Sequence, residues 1–172
     1  PVSAGGDHSV TLPIMRAIAS ERPVSMAHFD AHCDTGDDYG SSRFHHGAPF
    51  RRAVEEGLLD PKRTIQIGIR GSLNDPDQWK FSHDSGMRVI YMEGLYELGV
   101  KGVIEEARRV AGSGPTYVSF DVDGLDPVYA PGTGTPEIGG FTSAETQFML
   151  HGLRGLNIIG GDGVEVAPPF VP

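Results

Sequence analysis

The 172-residue sequence holds a single cysteine, Cys33, and a single tryptophan, Trp79. One thiol excludes an intrachain disulfide and points to a reducing, cytoplasmic setting. Basic residues are few: 14 Lys and Arg stand against 23 Asp and Glu, a net charge of −9. That balance argues against a protein that grips nucleic acid or an anionic membrane through charge, and suits a cationic ligand, metal or organic. No stretch approaches the ~18 consecutive apolar residues of a spanning helix. Pro1 to His8 carries neither the basic nor the apolar region of a signal peptide.

Glycine (24) and proline (13) are plentiful, so turns and loops are many, without collagen-like or linker-like period. The length allows one domain with a real core. The ends read as those of a piece. No Met opens the chain, Gly5-Gly6 arrives before a strand could have run, and Pro168 to Pro172 reads as the start of a loop. The expectation is one domain over 1–172 that lacks its N-terminal part and its C-terminal end.

Strand-like and helix-like stretches alternate. Residues 9–20 have helical spacing with Ser9 as cap, and Val24 to Phe29 reads as a strand. A helix is expected over 48–59, with Pro49 in its first turn, then a β-branched strand over 64–69. Residues 71–86 read as a polar loop, 88–92 as a strand, and 100–111 as a helix stopped by Gly112. A strand over 116–122, a helix over 142–153 capped by Thr142 or Ser143, and a glycine-interrupted strand region from 157 to 166 complete the pattern. About five of each predicts a three-layer α/β/α fold around a mainly parallel sheet.

The chemistry concentrates at two strand ends. Asp30-Ala31-His32-Cys33-Asp34 follows the strand over 24–29. In extended chain, positions i, i+2 and i+4 share a side, so Asp30, His32 and Asp34 converge while Cys33 faces away. Asp121-Val122-Asp123 repeats the arrangement, and His8 stands behind Gly5-Gly6 at a helix entrance. Ligand sites of open parallel sheets lie outside such carboxyl ends. Four carboxylates together repel, and two divalent cations would balance them. Oxygen-rich donors with a little imidazole suit Mn²⁺, although other divalent first-row ions fit the same set. A two-metal site performs hydrolysis. No basic cradle for phosphate lies near, whereas Glu165, at the end of the last strand, fits a cationic electrophile such as a guanidinium.

These motifs resemble the arginase/agmatinase (ureohydrolase) family. The resemblance rests on Gly5 to Ser9, Asp30 to Asp34, His46-Gly47, Ser119 to Pro127, Ala130 to Pro136 and Val164 to Val166, in the family's order. It implies an arginase-like fold and a hydrolase that uses two Mn²⁺ per chain to cleave a guanidino group into urea and an amine. By position, His8, Asp30, Asp34 and Asp121 would hold one ion and Asp30, His32, Asp121 and Asp123 the other, with Asp30 and Asp121 bridging. The resemblance further implies that His46 shuttles a proton, that Glu165 grips the guanidinium, that Thr135 lines the pocket, and that the protein is a homo-oligomer.

Pro49 to Leu58 and Gln66 to Arg70 look like the agmatinase branch and like guanidino-acid hydrolases; agmatine is the first expected substrate, and 4-guanidinobutyrate, 3-guanidinopropionate and arginine follow. The loop over 35–45 points both ways: Asp37 and Asp38 suit a distal ammonium, Arg43 a carboxylate. His45 is not expected to be catalytic, and His28, His83 and His151 read as structural or surface residues. Gly163 stands where an apolar residue is expected, and Val171 where an Asp often follows the paired prolines. The rivals are a single-zinc deacetylase-like hydrolase, which needs fewer carboxylates, and a metal-binding fragment without turnover.

Overall fold

The computed structural model describes residues 1–71, 79–167 and 169. The expectations that touch 72–78, Pro168 and 170–172, Val171 included, lie outside the described residues. The strands are β1 (Val2–Ala4), β2 (Val24–Phe29), β3 (Leu59–Ile69), β4 (Arg88–Tyr91), β5 (Thr116–Asp121) and β6 (Ile158–Val164). The helices are α1 (Thr11–Ile18), α2 (Pro49–Glu55), α3 (Lys80–Ser85), α4 (Met92–Ala111) and α5 (Ser143–Gly152).

The six strands form one sheet in the order β1-β6-β5-β2-β3-β4, with parallel pairing throughout. Side chains of β2 alternate between two cores. Ala27 and Phe29 pack with Leu95, Val103 and Ala107 of α4 and Met149 of α5. Val24 and Met26 pack with Leu12 and Met15 of α1 and Phe50 and Ala53 of α2. Helices therefore cover both faces, and β2 is wholly buried, its Ser25 and His28 included. From β2 the chain order runs outward through β3 and β4 on one side, and through β5 and β6 on the other. The gap above β2 and β5 is thus the switch point where α/β sheets bind ligands.

Several boundaries differ from the sequence reading. A strand, β1, precedes Gly5-Gly6 after all, and it pairs with β6 from Val2 to Ala4. Asp7, not Ser9, caps the first turn: its side chain accepts the Ser9 N–H, and α1 begins only at Thr11. The helix expected to run to 59 stops at Glu55, because Gly57 at φ 72 breaks it and Leu59 already pairs with Val24. The register then shifts between Val24 and Met26, which accommodates Pro61. Residues 80–85 form a helix inside the expected loop. Helix α4 starts at Met92, with a kink at Gly99 (φ 67). The last strand runs through Gly160, Gly161 and Gly163 and ends at Val164. At α5 the Thr142 side chain and Glu145 form a reciprocal capping box.

Candidate metal centre

Every candidate residue leaves the carboxyl end of a strand. His8 follows β1; Asp30, His32, Asp34 and His46 follow β2; Asp121 ends β5, with Asp123 and Thr135 beyond it; Glu165 follows β6. Phe29 pairs with Phe120, so the next residues, Asp30 and Asp121, emerge side by side. Strand alternation does not carry the convergence, because the chain leaves extended geometry at both places. Residues 30–32 form a bend, Asp34 sits at φ 52, and Val122–Gly124 is a 3₁₀ turn. Glu165, too, has a left-handed backbone at φ 63. Non-glycine residues rarely adopt this conformation, and those held in it often lie at functional sites.

Two groups of potential ligands meet at Asp30, His8 with Asp30, Asp34 and Asp121, and Asp30 with His32 and Asp123; a third, His8, His28 and Asp30, overlaps the first. His8 Nδ1 lies 2.9 Å from Asp34 Oδ2, 3.2 Å from Asp121 Oδ2 and 3.4 Å from Asp30 Oδ2. His32 Nδ1 lies 3.1 Å from Asp123 Oδ2 and 3.4 Å from Asp30 Oδ1. One carboxylate thus faces both groups with different oxygens. The other Asp121 oxygen accepts the Asp123 N–H at 2.9 Å, and the geometry groups Asp121 with His8.

Electrostatics follow from this crowding. At Asp121, burial and the neighbouring Asp30 push the carboxyl well above the usual range. Asp123 is pushed up to about 6 by the same causes. Asp30 goes the other way: burial opposes ionisation, but His28 beside it, with bonds from His28, His32 and His8, holds it well below the usual range. Burial works against a charge on His8 and His32, yet the carboxylates outweigh it. His8 is raised well above its ordinary value and His32 is raised to about 12. Without a cation among them, the acids keep protons on the imidazoles. His8 Nδ1, although buried, has no hydrogen-bond partner of proper geometry. An orphaned imidazole nitrogen amid three carboxylates is the donor set of a divalent cation, so the residues fit such an ion.

His28, read from the sequence as structural or surface, and Gln66, not singled out there, support these groups. His28 Nε2 lies 2.7 Å from Asp30 Oδ2, and Gln66 Nε2 reaches both His28 Nδ1 (3.2 Å) and the Cys33 carbonyl (2.6 Å). The periodic strands gave the signal: His28 and Gln66 are polar residues inside buried runs, and buried polar groups need partners. Arg70 ties down the loop after β5, donating to the carbonyls of Asp123 (2.8 Å) and Glu137 (2.7 Å). Cys33 is buried and faces away from the ligands, its thiol pushed up to about 12 mainly by burial.

A cavity of about 260 Å³ opens beside the groups, lined by His32, His46, Asp123, Thr135, Glu137 and Glu165 among others. Glu165 Oε1 accepts the His8 backbone N–H at 2.6 Å, and Thr135 Oγ1 donates to Asp123 Oδ2 at 2.9 Å. Glu137, not singled out from the sequence, stands 3.7 Å from His32 Nε2. Asp37 and Arg43 are not in this lining. Asp37 pairs with Arg52 (2.7 Å) and Arg51 (2.9 Å), and Arg43 with Glu55 (2.9 Å), so their charges are already matched within the loop and α2. A larger apolar hollow of about 520 Å³ lies over β6, walled by Val118, Phe120, Leu150 and Leu153, away from the ligand groups.

Residues 1–172 match the family model described as the arginase family. A guanidinopropionase from Pseudomonas aeruginosa is 64% identical over 171 residues, covering 99% of this chain and 54% of its own. A mitochondrial agmatinase from Gallus gallus is 50% identical over 171 residues, covering 99% of this chain and 50% of its own. Among solved structures, proclavaminate amidino hydrolase from Streptomyces clavuligerus superposes with a TM-score of 0.94 at 42% identity, covering 98% of this chain and 56% of that one. The chain spans about half the length of the curated relatives it matches.

Proposed function

The chain belongs to the arginase family, and from that premise we propose that its protein hydrolyses a guanidino C–N bond to urea and an amine. The observation that supports this reading best is the pair of ligand groups sharing Asp30, beside a cavity whose wall carries Glu165. Two Mn²⁺ would be held by His8, Asp30, Asp34 and Asp121, and by Asp30, His32, Asp121 and Asp123. When bound, such ions supply an activated water and Lewis-acid stabilisation of developing negative charge. Two groups favour two ions over the single zinc of a deacetylase-like site.

The chain's own residues do the rest. Glu165, anchored through one oxygen on His8, orients the planar guanidinium by a charge-assisted bond. Thr135 steadies Asp123 by donating to it. His46, at the exposed lip of the cavity, carries a proton from the attacking water to the leaving amine nitrogen. The balance closes: guanidinium plus water gives urea plus an ammonium.

For the substrate tail we place a guanidino acid such as 3-guanidinopropionate first and agmatine second, which reverses the order expected from sequence. The guanidinopropionase relative is 64% identical, against 50% for the agmatinase. Asp37, the expected partner of an agmatine ammonium, and Arg43, the expected partner of a carboxylate, are both already paired, so the order rests on the relatives alone. No helix among the described residues is long and apolar enough to cross a membrane. A homo-oligomer remains part of this reading. So does a cytoplasmic setting, which rests on the lone Cys33, although the agmatinase relative is mitochondrial by name.

The test is urea release after Mn²⁺ loading, with 3-guanidinopropionate, 4-guanidinobutyrate, agmatine and arginine in parallel. Turnover of a guanidino acid above agmatine supports the reading. Two bound metals with no urea from any substrate would sink the proposed reaction.

A further inference from the structure

A further buried carboxylate lies behind the candidate centre. Asp162, in the middle of β6, is 7% exposed and receives three hydroxyls. Thr11 Oγ1 donates to its Oδ2 at 2.6 Å, Tyr117 OH to the same oxygen at 2.8 Å, and Ser119 Oγ to Oδ1 at 2.7 Å. Ser119 Oγ also lies 2.9 Å from His8 Nε2. Thr11, Tyr117, Ser119 and His8 are fully buried and Asp162 nearly so, so the hydroxyls find their partners within the protein.

Proton counting gives this chain a direction. A carboxylate only accepts, so each of the three hydroxyls spends its single proton on Asp162. Burial and the adjacent Asp162 push the Tyr117 phenol up, which keeps it a donor. Ser119 therefore has no proton left for His8 and can only accept from it. His8 Nε2 must carry hydrogen, and in the neutral ring Nδ1 is then a bare lone pair. That lone pair is the orphaned atom facing Asp30, Asp34 and Asp121.

We propose that Asp162, acting through Ser119, is a positioning residue that locks His8 in its Nε2–H tautomer and so presents Nδ1 to a metal ion. The inference rests on the two-metal reading above and adds to it a residue outside both ligand groups. It also accounts for an acid at a buried position of a glycine-rich strand, where β-propensity disfavours it. Carboxylate–hydroxyl–imidazole relays fix ring orientation and ligand basicity, and their loss typically costs about 10–100-fold in metal affinity.

Asp162→Asn tests the direction of the chain at constant size. The Oδ2 position receives two hydroxyls, so the asparagine carbonyl settles there and its NH₂ turns toward Ser119. Ser119 then accepts from Asn and donates to His8 Nε2, which drives the ring proton to Nδ1 and blocks ligation. In Mn²⁺ titration calorimetry the variant should lose about 10–100-fold in affinity for one of two ions. The ion on His32 and Asp123 should stay. Ser119→Ala should weaken the same ion. Thr11→Val, which removes another hydroxyl from Asp162 but leaves the Ser119 path, should bind both ions as wild type does.

Long-range ¹H–¹⁵N spectra of the Zn²⁺-loaded, diamagnetic protein read the tautomer directly. Wild type should show Nε2–H on His8, and Asp162→Asn should not retain it. Two-ion Mn²⁺ binding by Asp162→Asn with wild-type affinity would overturn the inference alone. So would equal losses in Asp162→Asn and Thr11→Val, which mark a merely structural role. A wild-type protein that takes up no metal would overturn the metal-centre reading and this inference with it.

Discussion

Glu165 accepts the backbone N–H of His8 at 2.6 Å, although the two are 157 positions apart in sequence. The bond joins the first and last site loops, which leave β1 and β6, adjacent strands at one edge of the sheet. It also separates two functions of one carboxylate. Glutamine at 165 can still accept from His8 through its carbonyl, so fold and metal content should survive Glu165→Gln. The charge that pairs a guanidinium is lost. Hydrogen bonds to charged groups contribute about 1.5–3 kcal/mol, so kcat/KM should fall roughly 10–100-fold. Steady-state urea assays beside metal analysis check both halves.

Asp30 faces both ligand groups, whereas His32 belongs to one. Asp30→Ala should therefore empty both metal positions, and His32→Ala only one. Metal counting by elemental analysis after dialysis separates the cases. One ion retained by Asp30→Ala would remove Asp30 from its shared role.

Much of this was legible because two rules of sequence hold here without competition. Val24 to Phe29, mostly apolar between Pro23 and Asp30, appears as the strand expected, and of the two caps expected for α5, Thr142 is the one used, with Glu145 reciprocating. The misreadings have physical causes. Leu59 to Arg63 is polar and contains Pro61, yet pairing with Val24 and a register shift make it strand. Residues 92–98 contain Gly94 and lack a long periodic run, but Met92 and Leu95 find partners in the α4 core. The glycines of β6 weaken its local propensity, while Gly161 is required, because a Cβ there would stand 2.8 Å from the Val118 carbonyl oxygen. Asp30, His32 and Asp34 were legible as a cluster; their division between two groups, through a bend and a left-handed Asp34, was not. His28 and Gln66 showed only as polar residues inside otherwise buried strands, and Asp162 reaches His8 through Ser119 from another strand, which no local pattern reveals.

Between about pH 4 and 8 the raised groups of the site set a pH dependence of one sign. Asp121 and Asp123 are raised above the ordinary 3.8, Asp123 to about 6; His8 and His32 are raised above 6.5, His32 to about 12. Each raised group contributes stability that is full below its unfolded value and is lost as pH rises through its folded value. Asp30, lowered well below 3.8, loses its contribution only in stronger acid. Between about pH 4 and 8 the metal-free protein should therefore melt at progressively lower temperature as pH rises. Metal ligation needs the same protons removed, so apparent Mn²⁺ affinity should rise with pH and binding should release protons. Melting curves with chelator and with Mn²⁺ at pH 5, 6.5 and 8, and calorimetry in buffers of different ionisation enthalpy, check each arm. A metal-free melting temperature that climbs across this range would refute the assignment.

Gly71 links the edge of the described chain to the second ligand group. Its N–H donates to the Ala31 carbonyl at 2.8 Å, which lays it directly against His32. A Cβ built there would lie 3.0 Å from the Ala31 carbonyl oxygen and far inside contact with the His32 ring. The backbone cannot yield, because the neighbouring Arg70 is fixed to Ala31 by its own N–H and to the β5 loop by its guanidinium. The ring must move instead. Overpacking of this kind costs about 1–3 kcal/mol, and here the strain falls on one ligand only. Gly71→Ala should lower the melting temperature modestly, release the ion on the His32 side and keep the one on the His8 side. If the variant binds both ions with unchanged affinity, His32 is not held where a cation needs it.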